Sequence, residues 1–598
     1  MSAMTKSAFI GLNKMILIKN GQIFDGSKNP SFIGSVLIND GKVEKVFKQN
    51  DPLPNIPADI ETIDAEGHWV TPGFIDSHTH YDFELLVNPG LAESVRHGVT
   101  TVVTGSCSIS AIMAEPEDCS DIFTRVEGVP REKVLPVLNA QKKWNRPKEY
   151  VDFLNNHPLG PNVCAYLGHS DLRMAAMGIE KSVADDVVPS KAEKAFMKEA
   201  LTEALDVGFL GLSTMQSDAD RLDGDRVRSK ALPSVYASYQ EYSELNKVLR
   251  KHRRILQTAP DVRSPNESMI RLLLEIVGIF RKKLRVNSLV MLDAKASRKK
   301  DLRKKQQLFS KVSKLLFGDF RWQMLPCEFQ VKVDGLNFVI FEEVPAGAIY
   351  LHLTEEADRE KFINDPGFRT EFKKNLTERF RPALWNRDIG DGCVFDCADS
   401  SIVGKSFAEI AKDRNQHVGD VFVDLLVEHG TGLIWKVVLG NELDENLVHF
   451  LNDKSGSNLV SFSDAGAHLQ NIAFYNFPLQ MLARIKRMRA KGLKTLRDEE
   501  AIHRLTGELG DWHRIDAGYI KEGARADITI LDMNAIDSSL DSVKVAEFNG
   551  LDKFTRLVNR NDGVIKQVLI NGKVAVSEDK YHQDLGISQG FGSFLKAQ

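Results

Sequence analysis

Between residues 99 and 464 the chain keeps returning to one unit. A short apolar run ends in glycine or a small polar residue, and runs of helical spacing lie between such segments. Thr100–Gly105, Val163–Gly168, Gly208–Thr214, Leu289–Asp293 and Leu459–Asp464 are the apolar runs. Lys191–Leu205 and Ser406–Leu426 carry apolar residues every three to four positions, as an amphipathic helix requires. Strand–helix alternation predicts a parallel sheet, and over this length an α/β fold of the (β/α)8, TIM-like barrel kind. A barrel strand can offer only its terminal residues to the common rim, so chemistry is expected where strands end.

Both ends of the chain read differently. Met15–Lys19 leads to an Asn20-Gly21 turn, and Ser35–Ile38 leads through Asn39-Asp40-Gly41 to Lys42–Val46. Near the other end, Ala526–Leu531 and Ile565–Val574, which contains Asn571-Gly572, repeat the strand and strand–turn–strand pattern. Neither set suffices for a domain, so one small β-sandwich built from both termini is expected. The expected division is an extension at 1–14, the first part of the sandwich at 15–70, the barrel at 71–514, and the rest of the sandwich at 515–598. Regular structure is expected only from Met15, an alternative start. An elaboration at about 296–385 interrupts the barrel rhythm, and its basic run Arg298–Lys305 reads as a solvated helix face.

A formal net charge of −4 gives no general attraction to nucleic acid or to membrane surfaces. No apolar run approaches the roughly 18 residues that a membrane span needs, and the first residues lack the apolar core of a signal peptide. The six cysteines follow no disulfide rhythm, which suits a reducing compartment. A cytoplasmic enzyme acting on small molecules, possibly as a homo-oligomer, is the expectation.

The segment Val70-Thr71-Pro72-Gly73-Phe74-Ile75-Asp76-Ser77-His78-Thr79-His80-Tyr81-Asp82 carries the first chemical signal. Residues two apart in extended chain point the same way, so His78 and His80 aim their imidazoles together, as a divalent metal requires. Other strand ends add Cys107, His169, Asp293 with Lys295, and Asp464 followed by His468. Each has a plainer reading: a small buried thiol, a core histidine, a turn aspartate, a surface lysine.

The Pro72–Asp82 block resembles the first-strand signature of the amidohydrolase superfamily, and its Tyr81-Asp82 ending resembles the D-aminoacylase branch. Gly98–Ser108, Gly168–Arg173 with Met177-Gly178, and Glu499–Ile528 resemble further blocks of that family. The resemblance implies that Cys107 bridges metal and that Asp464 is both a ligand and the general base. It places His169 in the pocket steadying an oxyanion, with Arg173, Lys295 and His468 toward a carboxylate-bearing substrate. The implied activity is metal-dependent hydrolysis of a linear C–N amide bond in an N-acyl amino acid or similar small amide, by metal-activated water, with one or two zinc ions. Two family histidines are replaced, by Gln257 on the fifth strand and by Asp293 on the sixth. Asp293 is an expected oxygen ligand; Gln257 is a poor one. A cyclic-amide hydrolase of the hydantoinase or dihydroorotase kind is the first alternative, although no lysine ends the fourth strand at Leu212-Ser213-Thr214. A non-catalytic interaction protein on the same fold is the second.

Overall fold

The computed structural model describes residues 15–53, 60–218, 220–261, 264–279, 281–296, 302–377 and 385–598. The 1–14 extension and residues 298–301 of the basic run lie outside them.

Strands β1 (Ile16–Ile23), β2 (Phe32–Asn39), β3 (Lys42–Lys48), β4 (Glu61–Asp64) and β5 (Trp69–Pro72) open the chain. Seven parallel strands follow: β6 (Phe74–Asp76), β7 (Val99–Thr104), β8 (Asn162–Gly168), β9 (Gly211–Met215), β10 (Ile255–Ala259), β11 (Arg285–Met291) and β12 (Asp319–Met324). An insertion then contributes β13 (Phe329–Asp334), β14 (Cys393–Asp396) and β15 (Ile434–Gly440) before β16 (Asn458–Val460) completes the parallel set. The chain ends with β17 (Ile528–Leu531), β18 (Lys544–Glu547), β19 (Thr555–Val558), β20 (Ile565–Ile570), β21 (Lys573–Ser577) and β22 (Lys580–Tyr581).

The terminal strands other than β18 and β19, which pair with each other, share one nine-stranded sheet, in the order β22-β21-β20-β17-β5-β1-β2-β3 with β4 beside β1. Strand β17 pairs β5 antiparallel, and that ladder sews the two ends of the chain together. Of the expected turns, Asp40-Gly41 and Asn571-Gly572 join β2 to β3 and β20 to β21, with positive φ at all four residues. Asn20-Gly21 does not turn the chain. It sits inside β1 as a bulge, because a Cβ at Gly21 would meet Val70 Cγ2 at 2.3 Å and the strand must bend past β5.

The eight parallel strands run β16-β12-β11-β10-β9-β8-β7-β6. Just beyond their C-terminal ends the two outermost strands meet. Ser77 N–H donates to Ser461 O (3.1 Å), Asp464 N–H to His78 O (3.1 Å) and His80 N–H to Ala465 O (2.7 Å). These bonds close the sheet as a TIM-like barrel. Ile75, Val103, Cys164, Tyr166, Ile255 and Leu459 belong to one buried cluster with Trp512 and Leu595, each large aliphatic side chain contributing about 1.5–3 kcal/mol of burial.

One boundary moves. The helix Leu302–Leu315 and strand β12 lie within the stretch expected to be elaboration, yet β12 pairs both β11 and β16 as the seventh barrel strand. Its sequence, Asp-Phe-Arg-Trp-Gln-Met, lacks a plain apolar run because Arg321 and Gln323 alternate with the buried Phe320 and Trp322. The insertion proper lies between Met324 and Asn458. Its antiparallel sheet β13-β15-β14 packs with helices around Trp435, which meets Phe407 and Phe422 edge-on at 5.5 Å. Among the described residues no helix is long and apolar enough to cross a membrane.

Candidate functional site

The barrel seam is also where the polar side chains converge. His78 and His80 leave β6 on alternate residues, and their rings lie 5.5 Å apart. The β7 end adds Cys107, whose Sγ is 3.3 Å from His78 Nε2. Asp464, just past β16, sets Oδ1 3.2 Å from His80 Nε2 and 3.6 Å from His78 Nε2. One ligand atom from each of His78, His80 and Cys107 lies within 4.8 Å of the others. The histidines are 0% and 3% exposed in their side chains, and Asp464 18%, so solvent reaches the group past the aspartate.

The loops that bring these groups together are strained. Cys107 and Ser108 have φ of 52° and 69°, Asp464 58° and His468 47°, a region that costs a non-glycine residue about 1–2 kcal/mol. Specific bonds hold them. Cys107 N–H donates to Gln257 Oε1 (3.1 Å) and Ser108 N–H to Ser213 Oγ (3.1 Å). Gly466, at φ 95°, is required, because a Cβ there would stand 2.3 Å from His80 O. Asp76 accepts from the Ser463 hydroxyl and from His78 N–H, and Asp82 accepts from Gly105 N–H at 3.0 Å.

His78 Nδ1 lies 2.9 Å from Gln323 Oε1, and Gln323 Nε2 donates to Ser77 O at 3.4 Å. The amide oxygen therefore takes the Nδ1 proton and leaves the Nε2 lone pair facing Cys107 and Asp464, which is how a ligand imidazole is oriented.

The charges are in conflict. Burial pushes His78 down to about 4 and raises the Cys107 thiol far above its usual range, helped by Asp464 and Asp220. Burial also opposes ionisation of Asp464, but the His80 hydrogen bond and the charges of His80, His78 and His468 bring it to about 2. Asp76 rises to about 8 and Asp82 to about 7, chiefly through burial. Two imidazoles, a thiol and a carboxylate at these separations suit zinc or a similar divalent ion, and a cation there would reverse the penalty on the thiolate. The residues fit such a group.

Other expected site residues lie elsewhere. Asp293 follows the end of β11 by two residues and turns to the insertion: its carboxylate accepts from Asn446 Nδ2 (2.9 Å), and Asn441 bonds its backbone on both sides. The structure does not bring it to the His78 group. His169 Nε2 is 2.8 Å from Glu241 Oε1 and Nδ1 3.2 Å from Thr214 Oγ1, so both ring nitrogens are engaged by the chain itself. Arg173 is fully buried against the same Glu241. Lys295 lies between Glu442 and Asp391. His468 is half-buried and edge-on to Phe338, and its charge acts on Asp464 and Asp220.

Sequence reasoning passed over Gln323, Glu241, Asp220, Asp76 and Asp82. The last two share the even-numbered alternation of His78 and His80, which is a usable signal. Asp220 follows β9 on a loop with no regular pattern, and Gln323 belongs to the strand that was read as elaboration.

Comparison with known proteins gives the family. Residues 61–218 match the model of an amidohydrolase family. An uncharacterized protein of Mycobacterium tuberculosis strain H37Rv is 41% identical over 593 residues, covering 97% of this chain and 94% of that one. The N-acyl-D-aspartate deacylase of Alcaligenes xylosoxydans xylosoxydans is 31% identical over 198 residues, 33% of this chain and 36% of that enzyme. Among solved structures, the N-acyl-D-glutamate deacylase of Bordetella bronchiseptica, complexed with zinc and a phosphonate mimic of the tetrahedral intermediate, superposes with a TM-score of 0.60 at 19% identity. It covers 98% of this chain and 100% of its own. A D-aminoacylase with a binuclear metal centre superposes at 0.59 with 18% identity, over 97% and 99%. The chain belongs to the amidohydrolase superfamily. Within it, the chain falls in the D-aminoacylase-like branch.

Proposed function

We propose that this protein is a metal-dependent hydrolase that cleaves the C–N bond of a small linear amide. The observation that carries the reading is the convergence of His78, His80, Cys107 and Asp464 at the barrel seam. These four residues would hold the ion, zinc being the first candidate from the mixed nitrogen, sulfur and oxygen donor set. A divalent ion in such a site polarises a carbonyl and makes water a nucleophile near neutral pH.

The chain's own groups do the rest. Asp464, ionised and the most open of the four, receives the proton of the attacking water on a carboxylate oxygen and passes it to the departing nitrogen. The products are the acyl carboxylate and the amine. Gln323 keeps His78 Nε2 free of its proton, and Gln257 pins the strained Cys107 turn. A linear substrate is favoured over a cyclic one because the fourth strand, Gly211–Met215, carries no lysine, and its Ser213 is committed to Ser108 N–H.

The test is metal content and turnover on purified protein, wild type and Cys107→Ala. The reading expects one or two zinc ions per chain in wild type, loss of bound metal in Cys107→Ala, and a fall in kcat/KM of at least about 1000-fold. A wild type that stays metal-free after zinc reconstitution would sink it.

A further inference from the structure

Two neighbouring helices of the barrel wall are apolar on both faces. Inward, the helix Pro265–Ile276 buries Leu272 and Ile276, and the helix Leu302–Leu315 sets Phe309 edge-on to the buried Phe320 at 4.8 Å. Outward, Ile270 and Leu274 stand one turn apart on the first helix, 60% and 54% exposed. Leu308 and Leu315 stand two turns apart on the second, 60% and 77% exposed, and Phe317, just past its end, is 61% exposed. A helix that only covers the sheet needs one apolar stripe.

The outward residues form one face. Strands β10 and β11, which precede the two helices, pair in parallel, so the helices run side by side in the same direction. Their ends are tied. Gly278 N–H donates to Leu316 O at 2.9 Å, and a Cβ on Gly278 would stand 2.3 Å from Phe317 O. Counted back from that bond, Ile270 and Leu308 lie equally many residues away, while Leu274 and Leu315 fall nearer the tied end.

Basic residues frame this face. On the second helix Lys304, Leu308, Lys311 and Leu315 follow one line at helical spacing, flanked by Lys305 and Lys314, and all six are exposed. The segment 302–315 contains no acidic residue. Arg281, Lys282 and Lys283, exposed as well, follow Ile279 before β11 begins. On the first helix the exposed acid Glu267 is paired with Arg271. The whole chain carries −4, so the basic face is a local concentration rather than a general attraction.

Lysines set between leucines narrow the choice of occupant. The core of a protein interface is depleted of lysine, whose head would have to shed its water there. Two copies meeting about a twofold axis would set this basic face against itself. At a phospholipid surface, by contrast, the apolar tips enter the headgroup region, while lysine stems lie along them and raise their ammonium groups to the phosphates. We infer that the face made by Pro265–Ile276 and Leu302–Leu315 docks the protein on an anionic phospholipid surface. The contact is peripheral, a helix face laid on the headgroups, and it is independent of the hydrolase reading.

The experiment sediments the full-length protein with sucrose-loaded vesicles of phosphatidylcholine alone, or of phosphatidylcholine with about 30% phosphatidylglycerol, at about 0.1 M salt. The expected result is partition at least about tenfold stronger onto the anionic vesicles, lost as salt approaches about 1 M. Lys305→Gln/Lys311→Gln should weaken that partition about 10–30-fold. Leu308→Ser/Leu315→Ser should weaken it about tenfold or more, with an unchanged circular dichroism spectrum. Equal partition onto both vesicles, or onto neither, overturns the inference. So does anionic binding that both double variants retain, since the contact then lies elsewhere. A dimer in analytical ultracentrifugation that Leu308→Ser/Leu315→Ser dissociates gives the face to a second copy and overturns the lipid reading. If the leucine variant does not fold, the lysine variant is read alone in the same way.

Discussion

The barrel rim has two arcs that occupy equivalent positions in the fold and have opposite fates. On the arc of β6, β7 and β16, the polar residues past each strand turn toward one another. His78, His80, Cys107 and Asp464 meet there in mutual conflict, with His78 pushed down, the thiol pushed up and the carboxylate pulled down. On the arc of β10 and β11 the polar residues are taken up by neighbouring groups of the chain. Gln257 Oε1 takes the Cys107 N–H, Asp293 takes Asn446, and Lys295 takes Glu442 and Asp391. The difference teaches how to tell a site from a scaffold on one rim. Groups taken up one by one along the chain hold the fold, while imidazole, thiol and carboxylate groups that converge on one point are the candidates for chemistry.

The far arc owes its arrangement to the docked insertion, so the largest effect should come from undocking it. Asp444 opens the helix Asp444–Leu451 directly after Asn441 and Glu442, and it is 2% exposed. It accepts from Arg484, Arg487 and Lys491, with Lys491 Nζ at 2.7 Å. Asp444→Asn leaves buried Arg484 without its counter-charge and should cost about 3–5 kcal/mol of stability in denaturant melts. Burial by itself would raise the Asp444 pKa, but these hydrogen bonds and charges hold it well below the usual carboxylate range. A depressed carboxyl stabilises above its unfolded value, near 3.9, and that contribution fades as pH falls further. Wild type should therefore lose this part of its stability below about pH 4, and the variant should show a flatter acid limb. An equally steep limb in Asp444→Asn would assign the acid sensitivity to other carboxylates.

On the near arc, the next effect belongs to Gln323. It touches no candidate donor atom that would face an ion; its amide oxygen fixes His78 Nδ1 while its amide nitrogen donates to Ser77 O. Gln323→Ala should weaken zinc affinity about 10–100-fold, measured by competition with a chelator, with an unchanged circular dichroism spectrum. Gln323→Glu keeps an acceptor for Nδ1–H and should recover most of the loss. A Gln323→Ala protein that binds zinc like wild type would mean that His78 needs no such orientation, and the near arc would then be defined by its four converging residues alone.

Much of this contrast is legible in the residues. His78 and His80 share one side by alternation, and Cys107 and Asp464 each follow an apolar run, so their meeting on one rim follows from the repeat. The replacement of two family histidines by Gln257 and Asp293 could also be read directly. Their fate could not, because Asp293 and Lys295 are answered by Asn446, Glu442 and Asp391, whose position depends on how the insertion docks. Arg173 and His169 point the same lesson, since Glu241 reaches them from another helix. Gln323 was hidden for a different reason. Barrel strand β12 alternates charge and amide with its buried aromatic residues, and an apolar-run criterion passes it over.

The smallest expected effect tests the comparison where the two arcs come closest in chemical type, at Asp293. A carboxylate is a good zinc ligand, and this one stands two residues past the strand whose family counterpart carries a histidine. Yet Asn446 Nδ2 donates to Oδ2 at 2.9 Å, and Asn441 brackets the backbone with bonds of 2.9 and 3.1 Å. Asp293→Ala removes the side-chain bond and keeps the backbone ones, so it should cost about 1 kcal/mol of stability. Zinc affinity should stay within about threefold of wild type, because the seam keeps all of its donors. A loss of affinity of tenfold or more would draw Asp293 into the metal site, require the β11 loop to leave Asn446 when the ion binds, and merge the two arcs into one.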